Sequence, residues 1–274
     1  PYTALGAAAL FDLYPEQSTL LPAVLNHDLD DLGAAARQWA LEPVTAGAHQ
    51  TVLKHKQWRA AVAAYLACVS FIDAQIGRML DVLDSGPYRD NTLIVVWGDH
   101  GWHLGEKQHW GKWTGWERAT RVPLLIVPPR STAVQYQLGT LCHQPVGLID
   151  LYPTLLDICA LPAKQDLDGQ SLRPQLRDPA CETEPVLITF DQGNYCVRSE
   201  RWRLIHYKDG SEELYDHCAD PHEWHNLIHD TRYAALREHL AQRLPHSTAK
   251  VQGRSFSLPY ASSQHPFSVG RRNV

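Results

Sequence analysis

Residues 92–106 read Thr-Leu-Ile-Val-Val-Trp-Gly-Asp-His-Gly-Trp-His-Leu-Gly-Glu, and no other stretch constrains the chain as strongly. Leu93 to Trp97 is a short, β-branched apolar run, the pattern of a buried strand. Asp99 and His100 follow at its carboxyl end, between Gly98 and Gly101. Side chains alternate across a strand, so two neighbours face one point only where the backbone bends, and the glycines permit that bend. In open α/β sheets ligands bind at the carboxyl ends of the strands. Asp99 offers a hard anionic oxygen to a metal ion, and His100 can ligate through a neutral ring nitrogen or pass a proton. Lys112, a loop away, brings a compact positive charge suited to an anionic oxygen of a substrate. An Asp-His pair after a strand is equally common as a turn or cap, so these residues alone leave both readings open.

The flanks give the pair a frame. Residues 1–50 carry little periodicity, with Pro15, Pro22 and Pro43 and an acidic run at Asp28, Asp30 and Asp31, and read as a long, mostly irregular excursion over the surface. From Lys56 to Asp84, Val62, Tyr65, Leu66, Val69, Ile72, Ile76, Met79, Leu80 and Leu83 recur at helical spacing, and Ser85-Gly86-Pro87 stops the helix. A second apolar strand is expected at Val122–Val127, and a helix from Asp150, read as its cap, to Ala160. Helix, strand, loop and strand suit an α/β sheet covered by helices. Beyond Pro162, strand-like runs at 185–190, 195–199, 202–207 and 213–215, with Lys208-Asp209-Gly210 as a hairpin turn, predict a small antiparallel sheet. A helix over 231–244 backs it. The expected organisation is an α/β unit over 1–162, an α+β unit over 163–250 and an irregular tail over 251–274.

Several separated segments resemble the sulfatases of the alkaline-phosphatase superfamily, and within them the iduronate-2-sulfatase branch. The resemblance is carried by residues 65–84, by the Asp99-His100 loop and Lys112, and by Trp116-Glu117-Arg118-Ala119-Thr120-Arg121-Val122-Pro123-Leu124-Leu125. It continues through 150–157, Leu167-Asp168-Gly169-Gln170-Ser171-Leu172, Val197-Arg198-Ser199-Glu200-Arg201-Trp202-Arg203, 213–216 and Asp220-Pro221. It implies a partial alkaline-phosphatase-like sheet with helices on both faces, followed by the small carboxyl-terminal sheet. It also implies a sulfuric ester hydrolase that uses calcium and a formylglycine nucleophile on a sulfated carbohydrate or other sulfate ester. An exported location, periplasmic or lysosomal/extracellular, would go with it.

Carried over residue by residue, the resemblance makes Asp99 and His100 metal-site residues. It makes Lys112 and His100 catalytic, and Lys112, Trp116, Asn194 and Tyr195 substrate contacts. Tyr195 stands where relatives often have histidine. His103, Lys107 and His109 lie in the same loop without an assigned role, and Trp113 and Trp116 either wall a cleft or pack the loop down. None of the six cysteines opens the Cys-x-Pro-x-Arg signature that is oxidised to formylglycine. The expectation is therefore a carboxyl-terminal portion, with the formylglycine and the amino-terminal half of the fold upstream, inactive when isolated and exposing sheet edges and apolar surface.

Composition excludes some partners. A net charge of −5 gives no global basic field for nucleic acid, so a sulfate ester must be met by local charge. No apolar run reads as long enough to span a membrane. Cys181, Cys196 and Cys218 are open to either a disulfide or free thiols. Two other readings compete: a phosphodiesterase or phosphatase of the same superfamily, which would need further His and Asp ligands, and a non-catalytic structural or sugar-binding remnant.

Overall fold

In the computed structural model, residues 8–43 and 47–246 are described; the tail expected over 251–274 lies outside them. The helices are α1 (Ala8–Phe11), α2 (Ala34–Leu41), α3 (His49–Lys54), α4 (Trp58–Asp84), α5 (Glu117–Thr120), α6 (Leu151–Ile158), α7 (Arg173–Arg177) and α8 (Ala234–Ala241). The strands are β1 (Ile94–Trp97), β2 (His103–Leu104), β3 (Trp110–Gly111), β4 (Leu124–Val127), β5 (Val186–Asp191), β6 (Asn194–Arg198), β7 (Trp202–His206) and β8 (Glu212–Asp216). The architecture is mixed α/β with a small antiparallel carboxyl-terminal sheet.

β1 and β4 pair antiparallel, Ile94 opposite Val127 and Trp97 opposite Leu124. Trp97, Leu125 and Val127 are exposed, so this two-stranded sheet presents apolar side chains to solvent. The sheet β5-β6-β7-β8 is a meander with every neighbour antiparallel. Its period-two alternation divides the core. Cys196, Ile205, Tyr207 and Tyr215 face α2 and Trp116, while Val197, Leu204 and Leu214 face Leu240 of α8. Full burial of such side chains contributes roughly 1.5–3 kcal/mol each. The first of these clusters joins Leu29–Ala40 and Trp116 to strands beyond residue 180, so the core crosses the boundary expected at 162.

Two expectations are corrected, and a third is refined: among the described residues of the mostly irregular stretch expected over 1–50 lie α1, α2 and the start of α3. α2 is alanine-rich and short, so it lacks a strong apolar stripe, yet Ala36 and Ala40 are buried and Trp39 meets Phe190 edge-on at 5.6 Å. Asp150 does not cap α6. Its carboxylate accepts the backbone N–H of Gly147 (2.8 Å) and of Gln170 (2.9 Å), tying the preceding turn to the 167–172 segment. Finally, α4 is long and apolar enough to cross a membrane by length and composition. Ser70, Asp73, Gln75 and Arg78 interrupt its sequence, which is why no unbroken apolar run is visible there. Tyr14 Oη lies 2.6 Å from Ser70 Oγ, and Trp58 Nε1 donates to the Leu104 carbonyl at 2.6 Å, fixing the helix against the site loop. Cys181, Cys196 and Cys218 are free thiols, joined by no disulfide.

Candidate active site

The loop after β1 is built by backbone contacts. Gly98 N–H donates to the Pro123 carbonyl (3.1 Å) and Gly101 N–H to the Ala119 carbonyl (2.8 Å). A Cβ on Gly101 would lie 2.0 Å from the Arg118 carbonyl oxygen, so only glycine lets the loop pass this close to α5. The bend presents Asp99 and His100 together, with His100 Nε2 3.4 Å from Asp99 Oδ2. His100 Nδ1 lies 2.9 Å from the Gly101 carbonyl, which can only accept, so Nδ1 carries the proton and Nε2 keeps its lone pair. Lys112 Nζ donates to that nitrogen at 2.6 Å. Carboxylate, imidazole and ammonium thus meet at the strand end, on the wall of an open cleft of about 2020 Å³ that Trp102, Trp113 and Arg118 also line.

The other expected contacts lie elsewhere. Trp116 is fully buried, its indole N–H donating to Glu213 Oε2 (2.8 Å), so it packs the loop onto the sheet and does not reach the cleft. Asn194 and Tyr195 are buried in β6: Asn194 accepts from the Lys208 N–H (2.9 Å), and Tyr195 stacks near His206. Neither lines the cleft. Trp113, 45% exposed, does.

The unassigned loop residues are the foundation of the site. Lys107 is buried, with Nζ donating to Asp28 (2.6 Å) and to the Glu223 carbonyl and lying 5.2 Å from the centre of the Tyr215 ring. Burial pushes the Asp28 carboxyl up against the pull of Lys107. His103 is buried, its Nδ1 3.1 Å from the Glu106 carbonyl and its Nε2 2.9 Å from Thr114 Oγ1, and burial holds the ring well below its usual value, hence neutral. In the wall of the cleft, Arg203 is buried between Glu223 (Nε to Oε1, 2.7 Å) and Glu117, and it also donates to the carbonyl of Gly115 (2.6 Å). Glu117, His217 and Glu223 bring three ligand-type atoms within 4.8 Å of one another. The Arg203 guanidinium already neutralises this group, with Arg198 3.1 Å from Glu117 adding a second positive charge.

Ser85-Gly86-Pro87-Tyr88-Arg89 spells Ser-x-Pro-x-Arg, the serine form of the formylglycine signature. Its position does not suit that role. Ser85 Oγ donates back to the Asp81 carbonyl (2.9 Å), closing the end of α4. Its neighbour Asp84 pairs with Arg130 just beyond β4, at the end of the sheet where β1 begins. Asp99 is at the opposite end, about 10 Å of strand away.

An α/β frame with a strand-end carboxylate, imidazole and ammonium defines a candidate ester hydrolase. Two family profiles match: one described as Sulfatase over residues 26–160, and one described as N-sulphoglucosamine sulphohydrolase, C-terminal, over 105–250. The chain belongs to the sulfatase family. It is 35% identical over 243 residues to a sulfatase of Formosa agariphila, covering 87% of this chain and 46% of that protein. Among solved structures it is similar to BT4656 in complex with its substrate D-glucosamine-2-N,6-O-disulfate (28% identity, TM-score 0.60, 76% of this chain and 43% of that one). It is also similar to the phosphonate monoester hydrolase of Silicibacter pomeroyi (25% identity, TM-score 0.67, 86% and 51%). The chain spans less than half the length of the curated relatives it matches.

Proposed function

We propose that this chain carries the cation-binding and leaving-group side of a site that hydrolyses sulfate esters of sugars. The observation that carries the reading is the meeting of Asp99, His100 and Lys112 at the end of β1. Asp99 Oδ2 is the donor that would hold a divalent cation, with His100 beside it, because the Nε2 lone pair of His100 accepts from Lys112. Calcium takes about six to eight ligands and prefers oxygen, so Asp99 is the natural direct ligand and His100 a partner beside it. Such a cation supplies charge compensation for the sulfate oxygens.

The chain's own residues do the rest. Lys112 places a positive charge on the ester, where a departing sugar oxygen develops negative charge, and can deliver a proton to it. His100, fixed by Gly101 through Nδ1, accepts from Lys112 and so sets the direction of the ammonium before substrate arrives. Trp113 and Trp102 give the cleft ring faces of the kind that sugars stack against. A sugar ester is favoured by the disulfated glucosamine that BT4656 takes as substrate. The nucleophile is assigned to a formylglycine outside residues 1–274, in keeping with the six cysteines and with the placement of Ser85.

The phosphonate monoester hydrolase supports a second reading, the hydrolysis of a phosphorus ester at the same site. Turnover of 4-nitrophenyl sulfate and of 4-nitrophenyl phenylphosphonate by the full protein that carries this chain separates the two. Higher kcat/KM on the sulfate is expected, together with a loss of about 100-fold in kcat for Lys112→Ala. A preference for the phosphonate, or an unchanged kcat in the variant, would overturn the sulfatase reading.

A further inference from the structure

We propose that His109 is the positioning residue of Lys112, a role that rests on the placement of Lys112 in the proposed site. His109 is 1% exposed, and its ring spans two backbone carbonyls: Nδ1 lies 2.9 Å from the oxygen of Ala40 in α2, and Nε2 lies 3.0 Å from the oxygen of Lys112 itself. No other side chain donates to the Lys112 carbonyl among the described hydrogen bonds.

The backbone around Lys112 needs such a tether. Gly111 has φ 120° and Trp113 φ 74°, so Lys112 stands between two residues in left-handed conformations. For Trp113 that conformation is strained, and strain of this kind persists only where the surroundings over-determine it. β3 is two residues long and pairs only with the equally short β2, so its ladder cannot supply the restraint alone. His109 supplies it from below. Its ring is itself immobilised, edge-on to His103 at 5.1 Å, and His103 is edge-on to the buried Trp116 at 5.9 Å. A rigid stack rooted in the core therefore ends on the carbonyl of the residue whose ammonium meets His100.

Both nitrogens of His109 face acceptors, and a neutral ring donates through one of them at a time. The role assigned here places the proton on Nε2, toward Lys112. Glutamine presents its amide N–H near the position of Nε2 and asparagine near that of Nδ1, so the two amides discriminate the two tethers. The test compares His109→Gln and His109→Asn in the full protein. One readout is independent of activity: the NMR signal of ¹³C-dimethylated Lys112, assigned with Lys112→Arg. The other is kcat/KM on 4-nitrophenyl sulfate.

Expected is a Lys112 signal near wild type in His109→Gln and displaced toward that of a solvent-exposed lysine in His109→Asn, with kcat/KM falling by about 100-fold only in the latter. The proposal is overturned if the Lys112 signal is unmoved in both variants, if Asn preserves it and Gln does not, or if both lose it equally. If the protein turns over no sulfate ester, the NMR arm still decides the tether, so failure of the functional reading and failure of this one remain distinct.

Discussion

Arg203→Met is expected to destabilise the protein by about 3–5 kcal/mol, measured as a fall in the urea midpoint at neutral pH. The guanidinium is fully buried: Nη1 lies against Gly115 O (2.6 Å), Thr120 Oγ1 (3.0 Å) and Cys196 Sγ (2.9 Å), Nη2 donates to Glu117, and Nε pairs with Glu223. Methionine fills similar space but leaves the two carboxylates facing each other without the cation between them, Glu117 keeping Arg198 at its outer side. Glu223 also accepts the backbone N–H of Glu117 (2.9 Å), the first residue of α5, so repulsion between the carboxylates pulls directly on the helix that supports Gly101.

Removing the charges together distinguishes this account from simple loss of packing. A buried ion pair replaced as a unit by neutral groups costs far less than the same pair broken. Arg203→Met combined with Glu117→Gln and Glu223→Gln is therefore expected to recover a large part of the lost stability. A triple variant no more stable than the single one would show that Arg203 acts through shape and not through charge.

The legible parts of this chain are those encoded within a few residues. The strand before Asp99, the bend at its glycines and the hairpin at Lys208-Asp209-Gly210 follow from local rules, and the structure has β1, the close approach at Gly101 and the β7–β8 turn there. Asp99, His100 and Lys112 come together because they lie on one loop and its short hairpin. The less legible parts depend on partners far away in sequence. Lys107 is explained by Asp28 and Glu223, and Trp116 by Glu213; no local pattern links residues so far apart.

The histidines show the same limit. His103 and His109 lie in the sequence close to Asp99 and Lys112, with no role assigned to them there. Burial, the Glu106 carbonyl and Thr114 hydroxyl at His103, and the two carbonyls at His109 make them parts of the loop's foundation. Glu106, Lys107, Gln108 and Lys112 flank them, so no local apolar pattern announces their burial.

Stability is expected to fall in acid in two windows, one for the buried imidazoles and one for Glu117. Burial alone would raise the Glu117 carboxyl, but Arg203 and Arg198 outweigh it and hold it at about 2, below its ordinary 4.5. Above pH 4.5 the carboxylate is ionised in both folded and unfolded chains, and its stabilisation is complete. Below that value the unfolded chain takes up a proton that the folded one refuses, until the pH reaches about 2. The loss across this window is about 3 kcal/mol. His103 and His109 act earlier. Burial depresses both rings from 6.5, so as pH falls below that value protons bind the unfolded chain first and stability drops. Asp28 and Glu213, whose carboxyls burial raises, work in the opposite sense and flatten this upper window. The lower window is therefore the sharper test. Urea midpoints between pH 7 and 3 should decline most steeply below 4.5 in the wild type, and Glu117→Gln should start less stable and lose part of that slope. Glu223, held down by Arg203 and His217 against its burial, adds to the same window, so an equal slope in the variant would assign the acid sensitivity to Glu223 or other carboxylates and not to Glu117.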